Sequence, residues 1–253
     1  MKKNYITSII SNECIVDNIF KLTVGLDEDL IARPGQFVQL KLPSDEFTLR
    51  RPLGIADLNR DRLTMFYRIV GRGTQFLSTL REGMQLELLA PLGNGFPTIN
   101  GKILLVGGGL GLAPLIFAAY FFDGTDILIG GKNKSEAEVW QKEFDGAVSE
   151  MFTATDDGSL GFGGFVTELL PEVLLKKNYD AIFLCGPMIM MQRTAELAHA
   201  RGVKCFVSLE SRMGCGLGAC LSCSIDTRNG RKKICKDGPI FNAEDVFDFS
   251  ARS

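Results

Sequence analysis

Four cysteines in the last fifth of the chain, Cys215, Cys220, Cys223 and Cys235, follow the spacing C-x4-C-x2-C-x11-C. Thiolates spaced this way suit a [2Fe–2S] cluster. Three of them on one tight loop must converge on two irons, and the fourth must return from a neighbouring segment. Gly214, Gly216 and Gly218 let the backbone fold around such a cluster and turn its N–H groups toward the sulfides. The competing use of four cysteines is a zinc site, which usually carries two separated C-x2-C pairs; here there is one. The chain holds seven cysteines and shows no signal-peptide pattern at its start. An odd count of that kind speaks against a secreted disulfide framework.

Two glycine-bearing stretches suit a phosphate-containing ligand. Gly107, Gly108, Gly109 and Gly111 follow an apolar run and precede Pro114. Small residues there permit close approach of a pyrophosphate to a helix N-terminus. The strict G-x-G-x-x-G fingerprint is missing because position 112 is Leu, so alone the stretch is equally a plain strand–helix turn. Cys185, Gly186, Pro187 and Met188 end a later strand-like run. Taken singly, Cys185 reads as a small buried hydrophobe. A third group lies nearer the N-terminus. Arg51, Pro52, Leu53 and Gly54 precede a strand-like segment with Phe66, Tyr67 and Arg68, and then Gly73 and Thr74. The arginine suits a phosphate, Tyr67 a flat ring, and Gly73 with Thr74 a set of donors at a helix start. Each has an ordinary structural reading; the weight lies in their order.

The elements that must position these groups fall into three parts, an α+β multidomain organisation. Residues 1–98 carry short β-branched or alternating runs at 5–10, 20–26, 36–42, 63–70 and 84–89, separated by turn residues. This predicts a small antiparallel β-barrel. From 99 to 209 strand-like runs (102–106, 127–130, 147–153, 181–185, 204–209) alternate with helical ones (112–122, 136–144, 165–175, 188–201). That alternation predicts a parallel sheet covered on both faces, with ligands beyond the carboxyl ends of its strands. Residues 210–253 are loop-rich and too few for a core of their own, so a cluster would serve as their staple.

Other features have plainer readings. Residues 103–122 carry no charge and are long enough to cross a bilayer. The glycines inside the run instead predict a buried strand, a turn and a buried helix, so no membrane span is expected. A net charge of −2 without a basic stripe argues against nucleic acid. His199, the single histidine, reads as a solvated helix-terminal residue, Trp140 as packing, and Asp156-Asp157-Gly158 as a turn. Cys14 and Cys205 are expected to be buried thiols. Lys132 and Lys134 follow the second strand of the α/β part, where a nucleotide 2′-phosphate would be met.

Together, the R-P-x-x, G-x-G-T, G-G-G-x-G-x-A-P and C-G-P-M segments resemble the ferredoxin–NADP reductase superfamily. The tail, from Ser208 through Cys220 and from Cys235 to Phe241, is similar to the electron-transfer subunits of class 1B dihydroorotate dehydrogenases. The resemblance spans essentially the whole chain. It implies FAD on the barrel, held by Arg51, Pro52, Leu53 and Gly54, lined by Phe66, Tyr67 and Arg68, and capped by Gly73 and Thr74. It implies NAD(H) on the α/β part, at the glycine loop and at Cys185–Met188, with NADH preferred to NADPH. It further implies an FMN-containing dihydroorotate dehydrogenase catalytic subunit as partner, two copies of each chain in a heterotetramer, cytoplasmic location and a place in pyrimidine biosynthesis. Gly54 departs from the family, which usually has Ser there. The alternatives are the electron-input subunit of another multisubunit reductase (of hydrogenase, sulfite reductase or transhydrogenase type) and a non-enzymatic redox sensor.

Overall fold

The structure is a computed structural model that describes residues 2–249; the outer limits of the first and third parts, at 1 and 250–253, lie outside it. Among the described residues, β1 (Lys3–Val16), β2 (Ile19–Leu26), β3 (Phe37–Lys41), β4 (Arg51–Gly54), β5 (Asp57–Asn59), β6 (Arg62–Arg68) and β7 (Gln85–Leu92) form one antiparallel sheet. A short helix, α1 (Arg72–Leu77), joins the last two. The order is β4-β3-β7-β1-β2-β6-β5. Its edges, β4 and β5, are consecutive in the chain, so the short segment between them draws the two edges of the sheet together without a closing ladder. Ile55 N donates to Gln36 O at 3.0 Å on one side of the seam, and Ala56 N to Thr64 O at 2.9 Å on the other. Alternate residues such as Val38, Leu40, Leu63, Met65 and Tyr67 fill the interior, as the two-residue period of a strand requires.

The second sheet contains β8 (Ile103–Gly108), β9 (Asp126–Gly131), β10 (Glu150–Thr155), β11 (Phe162–Gly163), β12 (Ala181–Cys185) and β13 (Lys204–Ser208). These strands run parallel. A 3-10 turn, Gly109–Leu112, leads into α2 (Ala113–Phe121); α3 (Lys134–Phe144), α4 (Val166–Lys176) and α5 (Met188–His199) complete the layers. Both faces of the sheet are covered. On β8, Leu104 and Val106 join the core with α4 and α5, while Ile103 and Leu105 join the core with α2 and α3. The uncharged run 103–122 is therefore β8, the turn and α2, and among the described residues no helix is long and apolar enough to cross a membrane. The strand expected over 147–153 starts later, because Ala147 N still caps the preceding helix by donating to Phe144 O at 3.0 Å.

The tail is more ordered than its composition implies. It forms the hairpin β14 (Ser224–Thr227) and β15 (Gly230–Lys233), then α6 (Ile234–Asp237), β16 (Ile240–Asn242) and α7 (Ala243–Val246). The hairpin turn ends on Asn229-Gly230, and Gly230 takes φ +83, the left-handed region that favours glycine. β16 pairs antiparallel with β13, at the edge of the second sheet. After β7, Asn94 joins barrel to tail: its side chain donates to Asp237 O at 2.8 Å and accepts from Ile240 N at 3.1 Å. The barrel and the second sheet meet through Phe66 against Trp140, 5.4 Å between ring centres, and through a Lys21–Glu143 ion pair of 2.6 Å.

Candidate cofactor sites

The four cysteines come together as two pairs. In one, Cys220 N lies 3.4 Å from Cys215 Sγ and Cys215 N lies 3.4 Å from Cys220 Sγ. In the other, Cys223 and Cys235 are both buried, and Ile234 N donates to Cys223 O at 3.0 Å, which holds α6 against the loop. No set of three or more Cys, His, Asp or Glu among the described residues converges on a single ion. Two thiol pairs match a two-iron cluster, with one iron to each pair, better than a tetrahedral zinc. The charge environment differs between pairs. The Ser222 hydroxyl, followed by backbone N–H groups, holds Cys220 down at about 6. Burial raises Cys215, but N–H groups of Cys220 and Leu217 outweigh it and lower the thiol. Burial, then the neighbouring Cys223, pushes Cys235 up to about 12. Cys215 and Cys220 therefore offer thiolate readily, and Cys235 gives up its proton to a metal.

On the barrel, Arg51 opens β4 and crosses to the start of α1. A Cβ on Gly73 would overlap the Arg51 guanidinium, so glycine is what lets the cation lie on the helix backbone. Its guanidinium also sits 5.0 Å over the Phe47 ring. Thr74 closes the helix start: its Oγ1 accepts from Val70 N at 2.9 Å and from Gly71 N at 3.3 Å. A cation beside helical N–H groups is a cradle for a pyrophosphate. At the other end of β4, a Cβ on Gly54 would meet only Pro114, at 3.5 Å, so the missing serine is not excluded by space. The β6 residues divide. Phe66 and Arg68 face the second sheet, and Arg68 Nε is buried without a hydrogen-bond partner. Tyr67 instead points into the barrel, stacked on Phe20 at 5.3 Å and donating to Asn12 Oδ1 at 2.9 Å. Its flat-ring partner here is Phe20.

In the second sheet the strand order is β11-β10-β9-β8-β12-β13-β16, so the winding reverses between β8 and β12. Both predicted loops leave at that reversal, where α/β sheets open a ligand crevice. They touch through Gly111: a Cβ there would lie 2.6 Å from Cys185 O and from Gly186 N. Gly109 takes φ +56, and its missing Cβ faces Glu136 and Arg68. Met188 is exposed at the first turn of α5, after Pro187 at its N-cap. Cys185 is buried, and that burial, with the charge of Glu210 next, drives its thiol far above its ordinary value.

Several residues that sequence reasoning passed over help to join these sites. Buried Glu136, on the first turn of α3, accepts from Lys132 N at 2.8 Å and faces Arg68 Nη2 at 3.5 Å. One carboxylate thus ties the loop after β9 to the barrel strand. Its place near a helix start resembled an ordinary first-turn acid, and no local signal sets it apart. Gln39, a polar residue inside the apolar run of β3, is wholly buried; its neighbours Val38 and Leu40 were the available signal. Lys132 and Lys134 are exposed. Cys205 is buried as expected, but Cys14 is exposed; it sits next to a register shift near the end of β1. His199 ends α5, exposed, 3.1 Å from Glu244, and Trp140 is fully buried packing.

Comparison with known proteins agrees with this geometry. Residues 210–247 match a family described as the iron–sulfur cluster binding domain of dihydroorotate dehydrogenase B. The chain is 36% identical over 247 residues to the "dihydroorotate dehydrogenase B (NAD(+)), electron transfer subunit" of Clostridium acetobutylicum, covering 95% of this chain and 96% of that one. It is 38% identical over 260 residues to the protein of the same name from Bacillus velezensis, covering 97% and 99%. Among solved structures, an NADH-dependent reduced ferredoxin-NADP oxidoreductase superposes with a TM-score of 0.83 at 29% identity, over 95% of this chain and 89% of that one. A ferredoxin NADP+ reductase from Neisseria gonorrhoeae, at 15% identity and a TM-score of 0.67 over 79% and 92%, shares the fold of barrel and parallel sheet. With identity above a third along nearly its whole length, this chain belongs to the family of electron transfer subunits of dihydroorotate dehydrogenase B.

Proposed function

We propose that this chain moves electrons between NADH and the FMN-containing catalytic subunit of a dihydroorotate dehydrogenase, through FAD on its barrel and a [2Fe–2S] cluster in its tail. The observation that carries the reading is the pairing of four thiols in a lobe fastened to the barrel through Asn94. A bound flavin accepts two electrons together and releases them singly, which joins a hydride donor to a one-electron cluster. The chain's own residues bind and orient. Arg51 and the α1 N–H groups around Gly73 and Thr74 hold the pyrophosphate of FAD. Pro52, Leu53 and Gly54 border its ring, with Phe66, Tyr67 and Arg68 on the strand beside it. Gly107, Gly108, Gly109 and Gly111 admit the nicotinamide nucleotide, and Cys185, Gly186, Pro187 and Met188 form the facing wall. No side-chain acid or base is required for hydride transfer. NADH is preferred over NADPH because the named relatives are NAD(+) proteins.

The pyrimidine chemistry belongs on another polypeptide. The relatives are named electron transfer subunits, which supports a separate catalytic partner. We assign a complex with two copies of each subunit, in the cytoplasm, serving pyrimidine biosynthesis. A second reading, the electron-input subunit of a different multisubunit reductase, is favoured by likeness to the NADH-dependent ferredoxin-NADP oxidoreductase structure. Anaerobic purification tests the cofactor set: about one FAD and about two irons per chain are expected. Cys220→Ala should lose iron and sulfide while keeping most of the flavin. Native protein carrying zinc in place of iron and sulfide would sink the reading.

A further inference from the structure

Gln39 is fully buried, yet neither Nε2 nor Oε1 of its side chain has a hydrogen-bond partner. Buried amides are almost always paired, and an unpaired one is costly. Its place on β3 says what it faces. Val38 and Leu40 point into the barrel, so Gln39 points to the outer face. There Phe37, two residues away, packs in the same core as Cys223 and Cys235. Across the ladder its register partner is Pro52, in the segment assigned to the flavin. On its open side lies the cysteine loop. A Cβ on Gly216 would stand 2.6 Å from Gln39 Nε2 and 2.7 Å from Gln39 Cγ. Gly216 takes φ +69 and directly follows Cys215, so the loop is shaped to receive this amide. A leucine or methionine would fill the same space without desolvating an amide.

Resting on the [2Fe–2S] reading above, we infer that the Gln39 amide donates a hydrogen bond to sulfur at the Cys215 side of the cluster. Gln39 is then a positioning residue at the seam between flavin segment and cluster loop. Sulfur there accepts only, so the NH2 end of the amide must face it. A donor to sulfur favours the reduced, more negative cluster and raises its potential.

The test is an EPR-monitored redox titration of the full-length holoprotein, wild type against Gln39→Met and Gln39→Glu. Gln39→Met keeps length and removes the donor. The reduction equilibrium of the cluster should move about tenfold toward the oxidised form, or about 59 mV more negative for one electron. Its EPR line positions should change while iron content and the FAD potential stay in place. Gln39→Glu keeps the shape but sets an anion against an anionic cluster, so its shift should be larger, or the cluster should be lost with flavin retained. If iron is present and both variants titrate like wild type, the inference is overturned and the cofactor reading stands. If wild type holds no iron–sulfur centre, the cofactor reading fails first and takes the inference with it.

Discussion

At Gly73 an added Cβ would overlap the Arg51 guanidinium, whereas at Gly111 it would press on the backbone of Cys185 and Gly186 at 2.6 Å. The two collisions relax differently. A guanidinium at the end of a flexible side chain can swing away, but the backbone at the end of β12, held in its ladder with β8, cannot. Gly73→Ala should therefore leave the melting temperature nearly unchanged and displace the phosphate-facing cation. A charge-assisted hydrogen bond contributes about 1.5–3 kcal/mol, so FAD affinity should fall about ten- to hundredfold, measured by fluorescence titration of apoprotein. Gly111→Ala should cost stability itself, about 1–3 kcal/mol of overpacking, read as a lower denaturant midpoint, and should weaken NADH binding because the facing loops are forced apart. Unchanged flavin affinity in the first variant would remove Arg51 from the phosphate site.

The second sheet is tied at its lower end by an element-scale ion network. Asp126 opens β9 and is wholly buried. Its Oδ2 accepts from Tyr179 OH at 2.7 Å and Lys177 Nζ at 2.9 Å, and lies 3.0 Å from Lys102 Nζ. Burial alone would raise this carboxyl, but bonds from Lys177, Tyr179 and Lys102 together hold it below the ordinary aspartate range. A depressed native value means the folded chain binds that proton less readily than the unfolded chain. The stabilisation is then complete above the unfolded value of ~3.9 and disappears as pH falls through the lower native value. Asp126→Asn should cost about 2 kcal/mol at neutral pH, the scale of hydrogen bonds to a charged group. Melting temperatures of the two proteins should differ by a constant amount above about pH 4 and converge below it. A gap that persists in acid would show that packing, not charge, is what Asp126 supplies.

As a whole molecule, the chain sets three ligand-bearing surfaces against one another. Glu136 and the Phe66–Trp140 contact hold barrel to parallel sheet, while Asn94 and β16 hold the tail to both. The cysteine loop faces outward on its far side, where Leu217 and Leu221 are 46% and 67% exposed. On the function proposed above, this exposed apolar pair is where the catalytic subunit would dock. Alone, the chain should reduce artificial dyes with NADH and leave dihydroorotate untouched. Co-expression with the catalytic subunit should produce NAD-linked dihydroorotate oxidation, and Cys220→Ala should abolish that linkage while dye reduction continues. Dihydroorotate oxidation by the isolated chain, or failure to co-purify with such a subunit, would leave the sister-reductase reading in its place.

What the sequence determined by itself was local. The iron–sulfur tail was legible because three of its cysteines and their glycines share one loop, and the positions of most strands and helices were legible because their hydrophobic period is read over a few residues. The edges blurred where caps decide, as at Ala147, and β5 and the β14–β15 hairpin were short enough to pass as loop. What the tertiary structure alone decided was direction and company. Tyr67 turns into the barrel because β6 alternates and Phe66 must cover Trp140. Cys14 is exposed although it pairs with Phe20 on the face of Tyr67, because it lies near the open end of β1. Glu136 and Gln39 are ordinary in sequence and acquire their roles from partners distant in the chain, Arg68 and Gly216. Burial, orphaned donors and a missing Cβ depend on which faces meet, and faces meet only once the chain has folded.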